Sequence, residues 1–465
     1  MRKYVSILLA VVLLISLSVG CTKAAEPAGT GSTEAAVTEA STAPAADAST
    51  PAEPVAALKG DLTFIHHRTD IDGTLIKGYI AKFNEKYPDV KITTETYSDY
   101  DGQMTIRMNS NDYGDALIIS DKINQNDYPN YFEKLGTAAD LENTYMWIRQ
   151  SKATIGEDVY GLPTCGNAFG IVYNKRIYSE AGVATLPKTP DEFIADLKLI
   201  KEKTKAIPYY TNYAADWTLA GQYEDHRTSV SGDPDYVNKL VHMDDPFSPG
   251  KPHYIVYKLL YDAVKNGLCE DDPLTTDWES SKTRLATGEI ATMMLGSWAI
   301  AQCQERGVQQ GTDPADVGFM PFPYTNADGS LYAGSGGDRN VAVNTNSQNK
   351  EAARAWIDFF LNETDYAKQL GAINVLKSKQ SEFPDALKAF QDLGVKLIVN
   401  NPAPASEAGL LDKIDQKSEV GLWQSDFKKR IVEAAMGTRK ESYDDIMKDL
   451  NAKWAKARKD LGVTP

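Results

Sequence analysis

The sequence predicts an α/β fold, and the stretch that follows residue 60 shows why. Residues 61–65 read as an apolar strand, and apolar side chains at 75, 76, 79, 80 and 83 share one face of a helix. Residues 90–93 then alternate as a second strand. A strand, a helix and a strand in this order form a βαβ crossover. The apolar run 116–119 adds a further buried parallel strand.

The same alternation continues along the chain. Residues 170–173 read as a strand, and Thr189 is the predicted N-cap of a helix in which Pro190 is the first residue and Glu192 completes a capping box. The other predicted elements are helices at 255–266, 278–287, 353–361 and 425–458 and a strand at 290–295. The Pro- and Gly-rich passage 319–338 is predicted to be an irregular crossing.

The N-terminus predicts export. Two basic residues precede an apolar run at 5–17, which is typical of a secretory signal peptide and predicts one over residues 1–20. The run is too short for the roughly 20 residues of a spanning helix. Residues 17–21, LSVGC, resemble the lipobox of bacterial lipoproteins, with Ser18 in place of the usual leucine. That resemblance implies acyl chains, such as palmitate, on Cys21.

The segment from Cys21 to residue 58 is predicted to be a tether. It consists almost entirely of Ala, Thr, Ser, Pro, Gly and Glu, so it cannot bury enough apolar surface to offset its chain entropy. Two or more acyl chains hold a protein stably on a bilayer. We therefore expect a folded body held by lipid at the outer face of the bacterial cytoplasmic membrane.

Composition excludes several classes of partner and cofactor. The formal net charge of -15 argues against nucleic acid and anionic lipid as partners. The cysteines beyond Cys21 are Cys165, Cys269 and Cys303, an odd number at wide spacing that forms no metal framework. One disulfide among them is left open, and free buried thiols are favoured. No metal or other cofactor is implied.

A series of short motifs carries a resemblance to a known family. They are YGLP at 160–163, GIVYNK at 170–175, AG at 181–182 and PKTPDEF at 187–193. In this order they resemble extracellular solute-binding protein family 1, the carbohydrate-binding lipoproteins of ABC importers that are related to maltose-binding protein. The resemblance implies a two-lobed periplasmic-binding-protein-like fold with a hinge and an interlobe cleft.

The resemblance also implies limits for the two lobes. Residues 59–160 plus 325–365 would form the first lobe, and residues 161–324 plus 366–465 the second. The hinge is expected near Pro163 and 321–323, where the regular pattern breaks. The implied partners are a small carbohydrate and transmembrane permease subunits, and the protein is expected to be a monomer.

A sugar site needs aromatic faces beside polar groups that form bidentate hydrogen bonds, and ligands of open α/β sheets bind beyond the carboxyl ends of strands. Together with positions implied by the resemblance, this predicts a set of ligand-binding residues: Trp298, Trp423, Trp217, Tyr213, Asp216, Asp338, Arg68, Asp70 and Asp121. Each has a purely structural alternative. The indoles could be core, Asp338 could lie in a plain turn, and Arg68 and Asp70 could be a surface pair. Trp278 and Trp356 lie on apolar helix faces and are predicted to be core.

The sequence favours a receptor over an enzyme. It lacks the Gly-x-Ser-x-Gly, His-Glu-x-x-His and phosphate-loop motifs. Acidic residues are abundant, so a secreted glycoside hydrolase with a carboxylate pair is the first alternative. A surface adhesion module and a binding protein for a non-sugar small solute are the others. Whether the sugar is neutral or acidic, and which sugar it is, stays open at this point.

Overall fold

The computed structural model of the protein describes residues 58–379 and 384–463. The predicted signal peptide 1–20, Cys21 and the tether up to residue 57 lie outside these ranges. Within them, no helix combines the length and the apolar character that crossing a bilayer requires.

The strands of the described ranges form three sheets. In chain order they are β1 (Gly60–His66), β2 (Val90–Thr96), β3 (Ala116–Ile118), β4 (Gly136–Thr137), β5 (Thr154–Ile155), β6 (Asp158–Val159), β7 (Leu162–Pro163), β8 (Gly166–Asn174), β9 (Thr292–Gly296), β10 (Val317–Met320), β11 (Tyr332–Gly337), β12 (Asn340–Val343) and β13 (Lys396–Ile398).

The α-helices flank these sheets or connect their strands. In chain order they are α1 (Lys77–Lys86), α2 (Tyr100–Asn109), α3 (Tyr128–Tyr131), α4 (Ala138–Leu141), α5 (Lys175–Glu180), α6 (Pro190–Lys203), α7 (Asp216–Glu224), α8 (His226–Ser231), α9 (Tyr236–Leu240), α10 (Pro252–Lys265), α11 (Trp278–Thr287), α12 (Trp298–Gln309), α13 (Lys350–Asn362), α14 (Tyr366–Gln369), α15 (Lys388–Asp392), α16 (Leu410–Ser418), α17 (Asp426–Met436) and α18 (Tyr443–Asp460).

The first sheet has the strand order β2-β1-β3-β12-β7. Strand β1 pairs parallel with β2 and β3, as the βαβ reading predicts. Strand β12 returns antiparallel between β3 and β7, with Val341 opposite Ile118 and Asn340 opposite Pro163. The carboxyl ends of β1 and β3 therefore meet at one edge, where residues 67–70 and 120–121 follow.

The second sheet is centred on β8. Strands β9 and β10 pair antiparallel with its second half, and β11 pairs antiparallel with its first half and parallel with β13. Side chains alternate along β8, so that Ala168 and Val172 pack into one apolar cluster while Ile171 and Tyr173 pack into another. Burial on both faces explains why this strand reads as a continuous apolar run.

Two crossing segments connect the sheets side by side. Residues 163–166 lead from β7 into β8, and residues 337–340 lead from β11 into β12. Their backbones form one ladder, in which Asp338 N donates to Cys165 O at 2.7 Å and Thr164 N donates to Arg339 O at 3.1 Å. The predicted limits of the two lobes stay a prediction. If each sheet belongs to one lobe, the chain passes between the lobes at residues 163–166 and 337–340.

The prediction of an irregular passage over 319–338 is wrong at both of its ends, because β10 ends at Met320 and β11 spans Tyr332–Gly337. Gly334 and Gly337, two of the three glycines of β11, serve close packing and not a turn. A Cβ at Gly334 would lie 3.0 Å from the Asp225 carbonyl oxygen, and a Cβ at Gly337 would lie 2.8 Å from the Pro163 side chain. A glycine-rich stretch is therefore a strand here, and other parts of the chain approach it closely at Gly334 and Gly337.

Most of the predicted helices are present with small shifts. Thr189 caps α6 by accepting from Glu192 N at 3.2 Å, but the Glu192 carboxylate accepts from Lys188 N at 2.6 Å, so the predicted capping box is incomplete. The predicted C-terminal helix is two helices, because Gly437 ends α17 in the left-handed conformation, with φ of 82°. Residues Cys165, Cys269 and Cys303 are free thiols.

Candidate functional site

Three indoles come together at the start of three helices. Trp298 begins α12, Trp278 begins α11, and Trp217 is the second residue of α7. Their ring centroids are 5.5 Å apart for Trp298 and Trp217, 5.5 Å for Trp298 and Trp278, and 5.1 Å for Trp217 and Trp278. Trp298 and Trp278 are half-buried, and Trp217 is 40% exposed. These rings offer apolar faces close to solvent.

The order Gly296-Ser297-Trp298 has a physical reason. A Cβ at position 296 would lie 2.5 Å from the indole nitrogen of Trp298, so only glycine leaves room for that ring. Ser297 Oγ accepts from Ala168 N at 3.1 Å and donates to Asn167 Oδ1 at 3.2 Å. The start of α12 is thereby fixed to β8.

Trp423 extends the aromatic surface along α7. Its ring lies against Gly221, one helical turn after Trp217, where a Cβ would be 4.0 Å away. The guanidinium carbon of Arg227 lies 4.8 Å from the ring centroid, and Lys152 Nζ lies 5.0 Å from it. We call Trp278, Trp298, Trp217 and Trp423 the indole row.

Charged side chains follow the carboxyl edge of the first sheet. The guanidinium of Arg339 donates to both oxygens of Asp101, each at 2.9 Å, and lies 3.1 Å from Asp121 Oδ2. Burial alone would lower the pKa of Arg339, but the two carboxylates outweigh it and raise that pKa. Burial likewise works against Asp101, whose hydrogen bonds from Arg339 bring its pKa down to about 2. Both groups are therefore charged at neutral pH.

Asp338 lies on the crossing segment next to Arg339 and links this edge to the indole row. Its Oδ2 accepts from Asn167 Nδ2 at 2.9 Å and lies 3.6 Å from Cys165 Sγ. Since Asn167 also contacts Ser297, a continuous hydrogen-bonded chain runs from Asp338 to the residue before Trp298. No local sequence pattern indicates this connection, because its residues lie far apart in the chain.

A cavity of about 580 Å³ opens beside Trp298. Its wall from the first sheet carries Arg68, which is bound bidentately to Asp70 at 2.8 and 2.7 Å. Its other wall is α12, with Trp298, Gln302 and Glu305. This volume lies within the range of about 300–1,000 Å³ that small-molecule sites occupy.

The predicted residues do not all lie together. Arg68 and Trp298 line one cavity, and Trp217 packs on Trp298. Tyr213 is buried, and its hydroxyl donates to Glu433 at 3.1 Å, so it supports the fold. Asp216 is exposed and paired with Lys429. Asp121 and Asp338 belong to the charged edge already described.

Some residues at this site escaped the sequence prediction. Trp278 is predicted to be core, but it is only half-buried. It lies in the indole row, where its ring packs on those of Trp217 and Trp298. Asp225 joins α7 to α8, and burial raises its pKa to about 7, while Arg227 works in the opposite direction. Lys152 reaches Trp423 from the segment before β5. A single charged or aromatic residue carries no sequence signal that separates these roles.

Comparison with known proteins identifies the family. The family model described as bacterial extracellular solute-binding protein matches residues 69–367, which is more than half of the chain. The chain belongs to this family. The solute-binding protein is also similar to a multiple sugar-binding protein of Streptococcus mutans, with 24% identity over 65% of this chain and 71% of that protein. A melibiose/raffinose/stachyose-binding protein of Bacillus subtilis is 26% identical over 67% of this chain and 72% of its own length.

Solved structures extend the likeness to nearly the whole described chain. A manno-oligosaccharide-specific solute-binding protein of Bifidobacterium animalis subsp. lactis, solved with mannotriose, is 36% identical, with a TM-score of 0.81 over 87% of this chain and 95% of that one. A second binding protein of an ABC transporter from that organism, solved with mannobiose, is 37% identical with a TM-score of 0.80 over the same shares. The predicted two-lobed fold with a hinge and an interlobe cleft is confirmed.

The described ranges contain no group of three or more His, Cys, Asp or Glu side chains arranged to hold a metal ion. What the site does offer is a row of indoles, a cavity and several ion-paired carboxylates. This combination suits a ligand with apolar faces and many hydroxyl groups.

Proposed function

We propose that this solute-binding protein captures a neutral oligosaccharide in the interlobe cleft and delivers it to the permease subunits of an ABC importer. The indole row next to the cavity carries the proposal. A pyranose presents its C–H face to an aromatic ring and its hydroxyl rim to carboxylates and guanidinium groups. The relative solved with mannotriose, at 36% identity, makes manno-oligosaccharides the first ligands to test.

The proposal of a neutral sugar rests on charge. Arg68 is already bound to Asp70, and Arg339 is bound to Asp101 with Asp121 close by. Each guanidinium near the site therefore has its charge balanced, and one of them faces two carboxylates. An anionic sugar beside these two ion pairs would face the carboxylates of Asp70, Asp101 and Asp121, and both guanidinium groups are already bound to a carboxylate.

We expect an acidic oligosaccharide to bind at least about tenfold more weakly than a neutral one of the same length, because a uronate would face these carboxylates. Competition titrations with matched neutral and uronate oligosaccharides measure the difference. Asp121→Asn leaves more of the Arg339 charge unbalanced, so it should reduce the difference in affinity between the neutral and the acidic sugar. Tighter binding of the acidic sugar by the parent protein would contradict the neutral assignment.

The same charges favour binding over hydrolysis. A glycosidase needs a carboxylic acid that is protonated near neutral pH and a second carboxylate across the scissile bond. At this site the pKa of Asp70 is lowered, because its hydrogen bonds from Arg68 outweigh the effect of burial, and Asp101 behaves likewise. Asp225, between α7 and α8, has the raised pKa that an acid needs. The second carboxylate that interacts with it electrostatically is Asp121, and Asp121 is already bound to Arg339. Oligosaccharides incubated with the protein should be recovered intact.

The lipid anchor is part of the proposed function. A receptor tethered through Cys21 stays close to a permease in the same membrane, and two or more acyl chains suffice to retain it. Cys21→Ala should release the protein into the medium or leave it unprocessed. Cell fractionation with labelled palmitate measures both outcomes, and a variant that stays labelled and in the membrane fraction would contradict the anchor.

A thermal-shift screen over a library of sugars, with amino acids and peptides added, tests the proposal as a whole. Ligand at 100 times its dissociation constant stabilises the folded state by about 2.7 kcal/mol. Neutral oligosaccharides should raise the melting temperature, and manno-oligosaccharides are the first in the set. A library in which amino acids or peptides alone stabilise the protein would assign it to a non-sugar solute.

A further inference from the structure

Behind Trp423 lies a group of charged side chains that are almost completely removed from solvent. The side chains of Glu224 and Lys428 are 0% exposed, and that of Arg227 is 4% exposed. Removing charged groups from water is costly, and apolar replacements of similar volume are often neutral or stabilising. Stability alone is therefore a weak reason for a protein to keep such a group.

Lys428 fixes the backbone on both sides of Trp423. Its Nζ donates to the carbonyl oxygen of Leu422 and, at 2.8 Å, to that of Gln424. From the opposite side, Leu422 N donates to both carboxylate oxygens of Asp415, at 2.9 and 3.1 Å. The ammonium of Lys428 thus binds the backbone of the residues before and after Trp423, and the carboxylate of Asp415 binds the residue before it.

Glu224 connects this backbone clamp to the cation beside the ring. Its Oε2 accepts from Arg227 Nη1 at 2.7 Å, and its Oε1 lies 3.7 Å from Lys428 Nζ. Arg227 in turn places its guanidinium carbon 4.8 Å from the centroid of Trp423. One buried carboxylate therefore orders both the cation that contacts the indole and the ammonium that holds its backbone.

We propose that Lys428, with Glu224 and Asp415, is a positioning residue that presets the orientation of the Trp423 indole for the ligand. It touches no ligand itself and acts through the segment 422–424. The inference rests on the proposed function, since it assigns Trp423 a ligand contact. A ring held in its binding orientation before the ligand arrives avoids the entropy of ordering that side chain on binding.

The ring orientation is measured first, in the ligand-free protein. With 5-fluorotryptophan incorporated, the Trp423 resonance is the one lost in Trp423→Phe. Lys428→Met removes the ammonium and keeps a chain of similar length, so this resonance should shift or broaden while that of Trp356, a buried indole in the other apolar cluster, stays in place. An unchanged Trp423 resonance would overturn the proposal, whatever the protein binds.

Affinity for mannotriose is measured second, as a double-mutant cycle. In the parent protein we expect Lys428→Met to weaken binding about tenfold. In the Trp423→Ala background the same substitution should weaken binding by less than about twofold, because the two residues act as a unit. Equal effects of Lys428→Met in both backgrounds would mean that it acts elsewhere, and the proposal would fail. Absence of binding by the parent protein would count against the proposed function, and the fluorine spectra would still decide the positioning role.

Arg430→Met is the matched control. Arg430 lies on the same helix, α17, and its guanidinium binds Glu441 bidentately at 2.8 and 2.7 Å, in a separate ion-pair cluster. This variant should lose folding stability, but its affinity for mannotriose and its Trp423 resonance should be unchanged. Should Lys428→Met fail to fold, Asp415→Ala removes the acceptor of Leu422 N and carries the same two measurements. The same shift of the Trp423 resonance is expected, and its absence would again overturn the proposal.

Discussion

Trp298→Ala should weaken oligosaccharide binding by about tenfold to a hundredfold while costing the ligand-free protein little stability. Stacking of a sugar on the indole removes on the order of 80–100 Å² of apolar surface from water, which at about 25 cal/mol per Å² contributes roughly 2 kcal/mol. That free energy corresponds to about thirtyfold in affinity. Trp298 lines the cavity and is half-buried, and it packs on Trp217, Trp278 and the edge of the first apolar cluster, so its truncation removes fewer contacts than that of a core indole.

Calorimetric titration, paired with chemical unfolding of the ligand-free variant, measures both quantities. Edge and tilted contacts between aromatic rings contribute about 0.5–1.5 kcal/mol per pair, so a modest loss of stability is expected. Unchanged affinity together with a large loss of stability would remove Trp298 from the site and make it a core residue.

Trp356→Ala should do the reverse, with a loss of about 3–5 kcal/mol in folding stability, the usual cost of truncating a buried indole. Trp356 is 0% exposed and packs on Phe64 and Phe83, with ring centroids 5.6 and 5.5 Å apart. It lies on α13 and closes the core of the first sheet. Denaturant unfolding of the ligand-free protein measures the loss, and Trp356→Phe should cost much less.

Any Trp356→Ala protein that remains folded should bind oligosaccharide with the affinity of the parent. A strong loss of affinity in folded Trp356→Ala protein would contradict the assignment of Trp298 to the site and of Trp356 to the core. The pair of variants therefore tests the placement of the indoles more strictly than either variant alone.

Sequence periodicity was sufficient for most of the elements that build the fold. The βαβ unit of β1, α1 and β2 and the helix that carries Trp356 follow from spacings of two and of three to four residues, which backbone geometry imposes. Strand β11 is not predicted, because runs of glycine are typical of turns. At Gly334 and Gly337 the glycines instead leave room for other parts of the chain that approach the strand closely.

The candidate site was only partly predictable, since its contacts join residues far apart in the chain. The Arg339 guanidinium meets Asp101 across 238 positions, and no local pattern records that pairing. Trp298 could be predicted because Gly296 and the preceding strand mark its position. Trp278 could not, because a helix face that packs on other indoles has the same pattern as one that packs in a core.

An oligosaccharide receptor is tested most strictly by calorimetric titration of the parent protein with mannotriose, followed by chromatography of the recovered sugar. We expect saturable binding at a single site, loss of most of that affinity in Trp298→Ala, and recovery of intact mannotriose. Absence of saturable binding to mannotriose and to every other oligosaccharide of the thermal-shift library, or recovery of cleaved sugar, would contradict an oligosaccharide receptor.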